Sequence, residues 1–150
     1  DERMDKNHWY NNWWFHRPIC ITGVFDDYLR YETGESVTDR IIKNNTHFLN
    51  ELHRRVYKKS KKRIIQLCVV ENGFGKGGFH THTILETPEH LSTSQYSHLL
   101  HHSWMKTRYG VSSDVIPLYD EIGFKGYLTK EISPDSKTGV DVKNSHCNQV

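Results

Sequence analysis

The chain has few cysteines and no long apolar stretch. Its 150 residues include three cysteines, which lie far apart and form no Cys-x-x-Cys pair. An odd number of widely spaced cysteines argues against a disulfide framework or a zinc knuckle and predicts free thiols in a reducing compartment. No apolar run approaches the roughly 20 residues that a membrane-spanning helix needs, and the first residues do not resemble a signal peptide.

A strong excess of charge of one sign is also absent. The net charge is only +2 at pH 7, which does not by itself indicate nucleic-acid binding. The hydrophobic fraction of 35% is low, but 12% of the residues are aromatic, which argues against a disordered chain. The length predicts a single domain over residues 1–150. Because the chain starts with Asp1, we expect a domain taken from a longer protein.

The pattern of apolar residues predicts mixed α and β structure. Alternating β-branched residues indicate strands, and apolar residues at helical spacing after Ser36 or Thr38 indicate a long helix. The predicted order is strand 18–25, helix 36–58, strand 63–71, strand 79–86, helix 93–110, strand 113–119, a helix from about Phe124, and a last strand at 138–144. This order predicts an α+β fold, with an antiparallel sheet and helices on one face in the ferredoxin-like split βαβ arrangement.

Residues 1–17 form a polar segment that carries three tryptophans. Aromatic rings of this kind usually bury themselves against the domain, and they also stack on ligands. The sequence does not decide whether the tryptophans of this arm pack against the domain or stack on a ligand.

Two histidines, His80 and His82, lie on one predicted strand. Residues two apart on a strand point to the same face, so both imidazoles can reach one ion. A hairpin around 72–78 would bring Glu71 beside them. Two strand histidines alone are often incidental, and Glu71 alone is typical of a solvated strand end. Together they predict a metal site with open coordination positions, as in catalytic sites, and the ligand set suits Mn²⁺ or Zn²⁺ better than Mg²⁺.

A tyrosine and a lysine, Tyr127 and Lys130, lie three residues apart on the last predicted helix. This spacing places them on one helix face. Such a pair is ordinary by itself, because the ring usually packs and the lysine is usually solvated. If the helix crosses the sheet face that carries the histidines, Tyr127 becomes a candidate nucleophile. Lys130 would then stabilise the phenolate or the charge that develops on a phosphate.

Two segments in this order resemble the HUH endonucleases, which include rolling-circle replication initiators, relaxases and single-strand transposases. "VVENGFGKGGFHTHTILE" (69–86) resembles the histidine-strand motif with its preceding glutamate, and "GYLTKE" (126–131) resembles the single-tyrosine Y-x-x-K motif. "ICITGVF" stands where the first strand motif of the family lies, but it is weakly specific. The resemblance covers residues 19–132. Thr81 departs from it, because the family usually has a bulky hydrophobic residue there, which predicts weaker packing on the opposite sheet face.

The resemblance implies an HUH endonuclease fold and a metal-dependent, sequence-specific single-stranded DNA endonuclease. Such an enzyme nicks and rejoins DNA through a covalent 5′-phosphotyrosine link, here formed by Tyr127 with help from Lys130. The implied metal ligands are Glu71, His80 and His82, holding Mn²⁺ or Mg²⁺, with Zn²⁺ as a further possibility. The implied partners are a hairpin-flanked origin or transposon end and host replication proteins, in the cytoplasm or a host nucleus.

Further basic residues are candidate contacts for DNA. They are Lys76 in the glycine-rich loop, Lys125 beside the tyrosine motif, and the run "HRRVYKKSKKR" (53–63), which is also typical of a solvated helix end. The tyrosine motif favours a replication initiator. A single-strand transposase with the same chemistry and a non-catalytic, metal-stabilised nucleic-acid-binding module are the alternatives.

Overall fold

The computed structural model describes residues 15–58, 64, 66–72, 78–118 and 138–146. The described helices and strands follow one another along the chain. They are β1 (Pro18–Phe25), a 3-10 helix (Asp27–Arg30), α1 (Val37–Tyr57), β2 (Gln66–Asn72), β3 (Phe79–Glu86), α2 (Thr93–Met105), β4 (Gly110–Pro117), β5 (Thr138–Val140) and a second 3-10 helix (Val142–Asn144).

The strands form one antiparallel sheet in the order β4-β1-β3-β2-β5. β1 and β2 run in the same direction, because each is antiparallel to β3, which lies between them. β3 and β4 are likewise parallel, with β1 between them. The α+β class and the antiparallel sheet predicted from the order of elements are confirmed, and β4, which contains Pro117, is an edge strand of the described sheet.

Both helices pack against the same face of the sheet. Their apolar stripes join the inward residues of β1 and β3 in one large cluster, which includes Ile21, Leu52 and Leu85. Trp104 of α2 is fully buried at its centre. Its ring meets Phe25 edge-on at 5.1 Å between centroids, and Phe48 of α1 at 5.5 Å. The helices therefore cover one face and leave the other to different residues.

Both helices begin at serine caps. The Ser36 hydroxyl accepts a hydrogen bond from the Asp39 N–H at 3.1 Å, so Ser36 rather than Thr38 is the N-cap of α1. Ser92 and Gln95 form a capping box at the start of α2. These caps satisfy backbone donors that the first turn of a helix leaves without partners.

The prediction that α2 extends to Gly110 is wrong, because the helix ends at Met105. The Thr107 hydroxyl donates to the Trp104 carbonyl at 2.6 Å and accepts from the Gly110 N–H at 3.1 Å. Gly110 is the first residue of β4 and pairs with Phe25. A Cβ at Gly110 would lie 2.5 Å from the Trp104 carbonyl oxygen, so glycine permits a close approach rather than capping the helix.

The last predicted strand is shorter than expected. It spans Thr138–Val140 rather than 138–144, and the 3-10 helix Val142–Asn144 follows it. The Asp141 side chain accepts from the Asn144 N–H and so caps this turn. The polar cap ends the extended conformation that alternating residues had indicated.

Two other boundaries involve residues outside the described ranges. β2 spans Gln66–Asn72 where the sequence predicted 63–71, and residues 63 and 65 are not described. The helix predicted from about Phe124 also lies outside the described residues.

Thr81 lies on the helix side of β3, where the sequence placed it. Its hydroxyl donates to the Asn45 side-chain oxygen of α1 at 3.3 Å. The Asn45 amide in turn donates to the Asp141 carboxylate at 3.1 Å, and all three residues are buried. A threonine at this position is thus part of a hydrogen-bonded network that joins β3, α1 and the C-terminal segment.

Candidate metal centre on the sheet face opposite the helices

The sheet face opposite the helices is apolar at one end and polar at the other. Its buried apolar residues form a small cluster of their own, namely Phe15, Cys20, Leu67, Val69 and Ile84. Strand alternation and register place polar residues on the same face beyond them, namely Thr22, Glu71, His80, His82 and Asp114. We call these five residues the polar cluster.

The hairpin of β2 and β3 fixes the position of the predicted ligands. Glu71 is the direct cross-strand partner of His80. Directly opposed residues share a face, with Cα atoms about 4.5–5.5 Å apart. His82 follows two residues later on that face, between Val69 of β2 and Thr22 of β1. The hairpin therefore brings Glu71, His80 and His82 to one place, as the sequence predicted.

A chain of hydrogen bonds runs through His82. Its Nε2 lies 2.7 Å from Glu71 Oε2, and its Nδ1 lies 3.1 Å from Thr22 Oγ1. The His82 side chain is 19% exposed and that of Glu71 is 50% exposed. The imidazole is thus held on both nitrogens, while the carboxylate reaches solvent.

The polar cluster fits a divalent ion in its ligand chemistry. Within the described ranges, no three His, Cys, Asp or Glu side chains are gathered as a metal-binding group. Glu71 and His82 are nevertheless already in contact. Two ligand atoms about 2.1 Å from one ion lie roughly 3.0–3.4 Å apart, so the 2.7 Å contact needs to open only slightly. The half-buried His80 lies on the same face, as the direct cross-strand partner of Glu71, and is the third candidate ligand.

The candidate nucleophile and the candidate DNA-contacting lysines lie outside the described residues. Tyr127, Lys130, Lys76 and Lys125 lie outside the described residues, as does the arm up to residue 14. Phe15, which follows in the arm, is 6% exposed and packs in the small apolar cluster. The described end of the arm therefore packs on the sheet face opposite the helices.

The described part of the basic run is already engaged in ion pairs. Arg54 lies 2.7 Å from the Glu51 carboxylate, and Arg55 contacts the same carboxylate. An anion would have to compete with Glu51 for both arginines. The candidate phosphate contact is therefore weaker at Arg54 and Arg55 than the sequence alone suggests.

The sequence reasoning did not identify a polar cavity of about 690 Å³ on the helix side. The first 3-10 helix, the loop that follows it and the start of α1 form most of its walls. Tyr31, Lys43 and Arg108 are among the lining residues. Lys43 pairs with Glu35, and Arg108 pairs with Glu32. Arg40 also lines the cavity, and its guanidinium donates to the backbone carbonyls of Leu29 and Glu32.

The sequence reasoning also did not identify Thr22, the partner of His82. The signal was present, since Thr22 is a polar residue within the otherwise apolar strand "PICITGVF".

Comparisons with family models, curated proteins and solved structures gave no match for this chain. Among the described helices, none is long and apolar enough to cross a membrane.

Proposed function

We propose that the chain is an HUH-type endonuclease domain that nicks and rejoins single-stranded DNA through a covalent 5′-phosphotyrosine link, and that it initiates rolling-circle replication. The observation that carries the proposal is the alignment of Glu71, His80 and His82 on the sheet face opposite the helices. A hairpin has no structural need for two imidazoles and a carboxylate there. The Glu71–His82 contact places a carboxylate oxygen beside an imidazole nitrogen, which supports a role of this pair in metal binding.

The sheet topology also supports the proposal. The β4-β1-β3-β2 order with both helices on one face is that of the ferredoxin-like and RRM-like folds. The HUH endonuclease fold that we propose for this chain is of the same type. In this arrangement the histidine strand β3 is central. A central strand gives its ligands rigid backbone support, which a catalytic site needs.

Glu71, His80 and His82 would hold Mn²⁺ or Mg²⁺. The bound ion would supply Lewis acidity at the scissile phosphate. Tyr127 would attack the phosphorus, forming the Tyr Oη–P bond while the P–O3′ bond breaks. The phenolic proton would end on the released 3′-hydroxyl, and Lys130 would stabilise the negative charge that develops. The reverse attack by a 3′-hydroxyl would rejoin the strand, because the phosphoester bond is conserved in the link.

The partners would be single-stranded DNA at a hairpin-flanked origin and host replication proteins. Lys76 and Lys125 are the proposed DNA contacts. A single-strand transposase would use the same residues and chemistry on a transposon end. A non-catalytic module that binds nucleic acid would need the metal for stability but would leave Tyr127 without a role.

Covalent adduct formation tests the nucleophile. We expect the wild-type protein, mixed with labelled origin-like single strands and Mn²⁺, to give a slower-migrating band on a denaturing gel. Tyr127→Phe should abolish this band, because the phenyl ring has no nucleophilic oxygen. Tyr109→Phe is the matched control, since the Tyr109 hydroxyl bonds Glu32 on the helix side. Adducts from Tyr127→Phe at the wild-type rate would refute the assignment.

A second pair of variants tests the metal centre. His80→Ala combined with His82→Ala should abolish adduct formation, while circular dichroism shows a folded protein. His98→Ala with His102→Ala, on the exposed surface of α2, should leave the adduct yield unchanged. Undiminished activity of the first double variant would exclude the site. Metal-dependent stability without any adduct would favour the non-catalytic module.

A further inference from the structure

We propose that Thr22 is a positioning residue for the metal centre, because its hydroxyl serves His82 in both tautomers. The inference rests on the proposed function, since it assigns a role to a residue that supports the proposed ligand His82. It stands on the Thr22 Oγ1–His82 Nδ1 contact of 3.1 Å, on a strand far from β3 in sequence.

The two partners of His82 impose different demands on its ring. An ionised carboxylate only accepts hydrogen bonds, so the 2.7 Å contact with Glu71 requires a proton on Nε2 of His82. In the neutral ring, Nδ1 then has no proton and accepts a hydrogen bond from a donor. The Thr22 hydroxyl lies at that nitrogen and provides the donor.

Metal binding reverses this requirement. An ion that replaces the proton between Glu71 and His82 needs the Nε2 lone pair, so the neutral ring must carry its one proton on Nδ1 instead. The proton count of the ring is unchanged, and no acid or base is consumed. Nδ1 becomes the donor and needs an acceptor, which the Thr22 oxygen supplies after its own O–H rotates.

A hydroxyl satisfies both states because it both donates and accepts. A carboxylate at this position would only accept, and a valine would do neither. The half-buried Thr22 lies between His82 and Asp114 on central strand β1, so the backbone holds its hydroxyl in place. Partners of this kind orient metal-binding histidines, and their loss costs roughly 10–100-fold in metal affinity.

Calorimetry with Mn²⁺ alone tests the role of the hydroxyl. We expect Thr22→Val to weaken Mn²⁺ binding roughly 10–100-fold and Thr22→Ser to stay within about threefold of the wild-type protein. Thr83→Val makes the same chemical change one residue from His82, but on the helix side, and should leave the affinity unchanged. Equal loss in Thr22→Ser and Thr22→Val, or wild-type affinity in Thr22→Val, would overturn the inference.

The ring nitrogens provide an independent readout without activity. In ¹⁵N-histidine spectra of the metal-free protein, with the His82 signals identified by His82→Gln, we expect a protonated Nε2 and a hydrogen-bonded Nδ1. Zn²⁺ should move the proton to Nδ1. Thr22→Val should shift the Nδ1 resonance of the metal-free protein to that of a free nitrogen, and an unchanged resonance would contradict the proposal.

The two proposals fail differently. If His82→Ala binds Mn²⁺ as tightly as the wild-type protein, the metal centre is wrong and the role of Thr22 falls with it. If His82→Ala loses the ion while Thr22→Val keeps it, only the Thr22 inference fails. If both lose the ion but the wild-type protein forms no DNA adduct, the nuclease proposal fails and Thr22 keeps its role.

Discussion

Gly23 lies in the middle of β1, and the indole ring of Trp104 lies against its backbone. A Cβ at Gly23 would come within 2.7 Å of two atoms of that ring. Gly23 neighbours Thr22 and points to the helix side, while Thr22 points to the polar cluster. The single glycine thus lets α2 approach closely on one face while its neighbour supports His82 on the other.

Gly23→Ala should destabilise the protein by about 1–3 kcal/mol, because the added methyl overpacks a rigid aromatic core. In a strand without this contact, alanine would gain roughly 0.5–1 kcal/mol over glycine. Urea unfolding measures the difference. In a Trp104→Leu background the same change should be neutral or stabilising. A Gly23→Ala protein as stable as the wild type would show that the ring moves aside freely.

At the scale of elements, a buried polar network joins α1 to the C-terminal segment. Asn45 is fully buried and bridges Thr81 of β3 to the Asp141 carboxylate. Asn144 donates to the same carboxylate at 2.7 Å and to the Ile42 carbonyl at 3.1 Å. Because these groups are shielded from water, each hydrogen bond they lose leaves a desolvated polar atom without compensation.

Asn45→Ala should therefore destabilise the fold by about 1–3 kcal/mol and loosen the C-terminal segment. The Asp141 N–H, which donates to the Cys68 carbonyl at 2.8 Å, should exchange faster with solvent deuterium. Asn50→Ala, on the exposed side of the same helix, is the matched control and should change stability by less than about 0.5 kcal/mol. Unaltered exchange at Asp141 in Asn45→Ala would argue against a bridging role.

At the scale of the whole molecule, the two described thiols lie on opposite faces of the sheet. Cys20 is buried in the small apolar cluster on the face opposite the helices, and burial raises its pKa to about 12. Cys68 lies on the helix side, where burial raises the pKa of its thiol still further. Both act as small apolar residues. Their free state agrees with the thiols that the scattered cysteines predicted.

These pKa shifts predict a loss of stability in alkali. The folded thiols keep protons that the unfolded thiols release near their ordinary pKa of 9.0, so their contribution to stability is complete below that pH. It declines as the pH rises from 9.0 towards about 12, the pKa of folded Cys20. The urea midpoint should fall between pH 8 and 9.5, below the ordinary tyrosine pKa of 10.0. Cys20→Ala with Cys68→Ala should flatten this fall, and an equally steep fall would exclude the thiols as its cause.

Part of this architecture follows from local patterns in the sequence. The bounds of β1 and β3 match their predictions, because alternating β-branched residues indicate an extended strand from the local sequence alone. The same alternation placed His80 and His82 on one face. Glu71 could be placed beside them because a hairpin pairs neighbouring strands, and its register follows from the turn that joins them.

The sequence by itself determined the bounds of β1 and β3 and the placement of His80 and His82 on one face of β3, with Glu71 beside them. Only the tertiary structure decided that Thr22 meets His82, that Asn45 meets Asp141, and that Gly110 starts a strand rather than ends a helix. Each of these pairs joins residues far apart in the chain or depends on the packing of Trp104. Local propensities act over a few residues, whereas such contacts depend on how the whole sheet and both helices pack together.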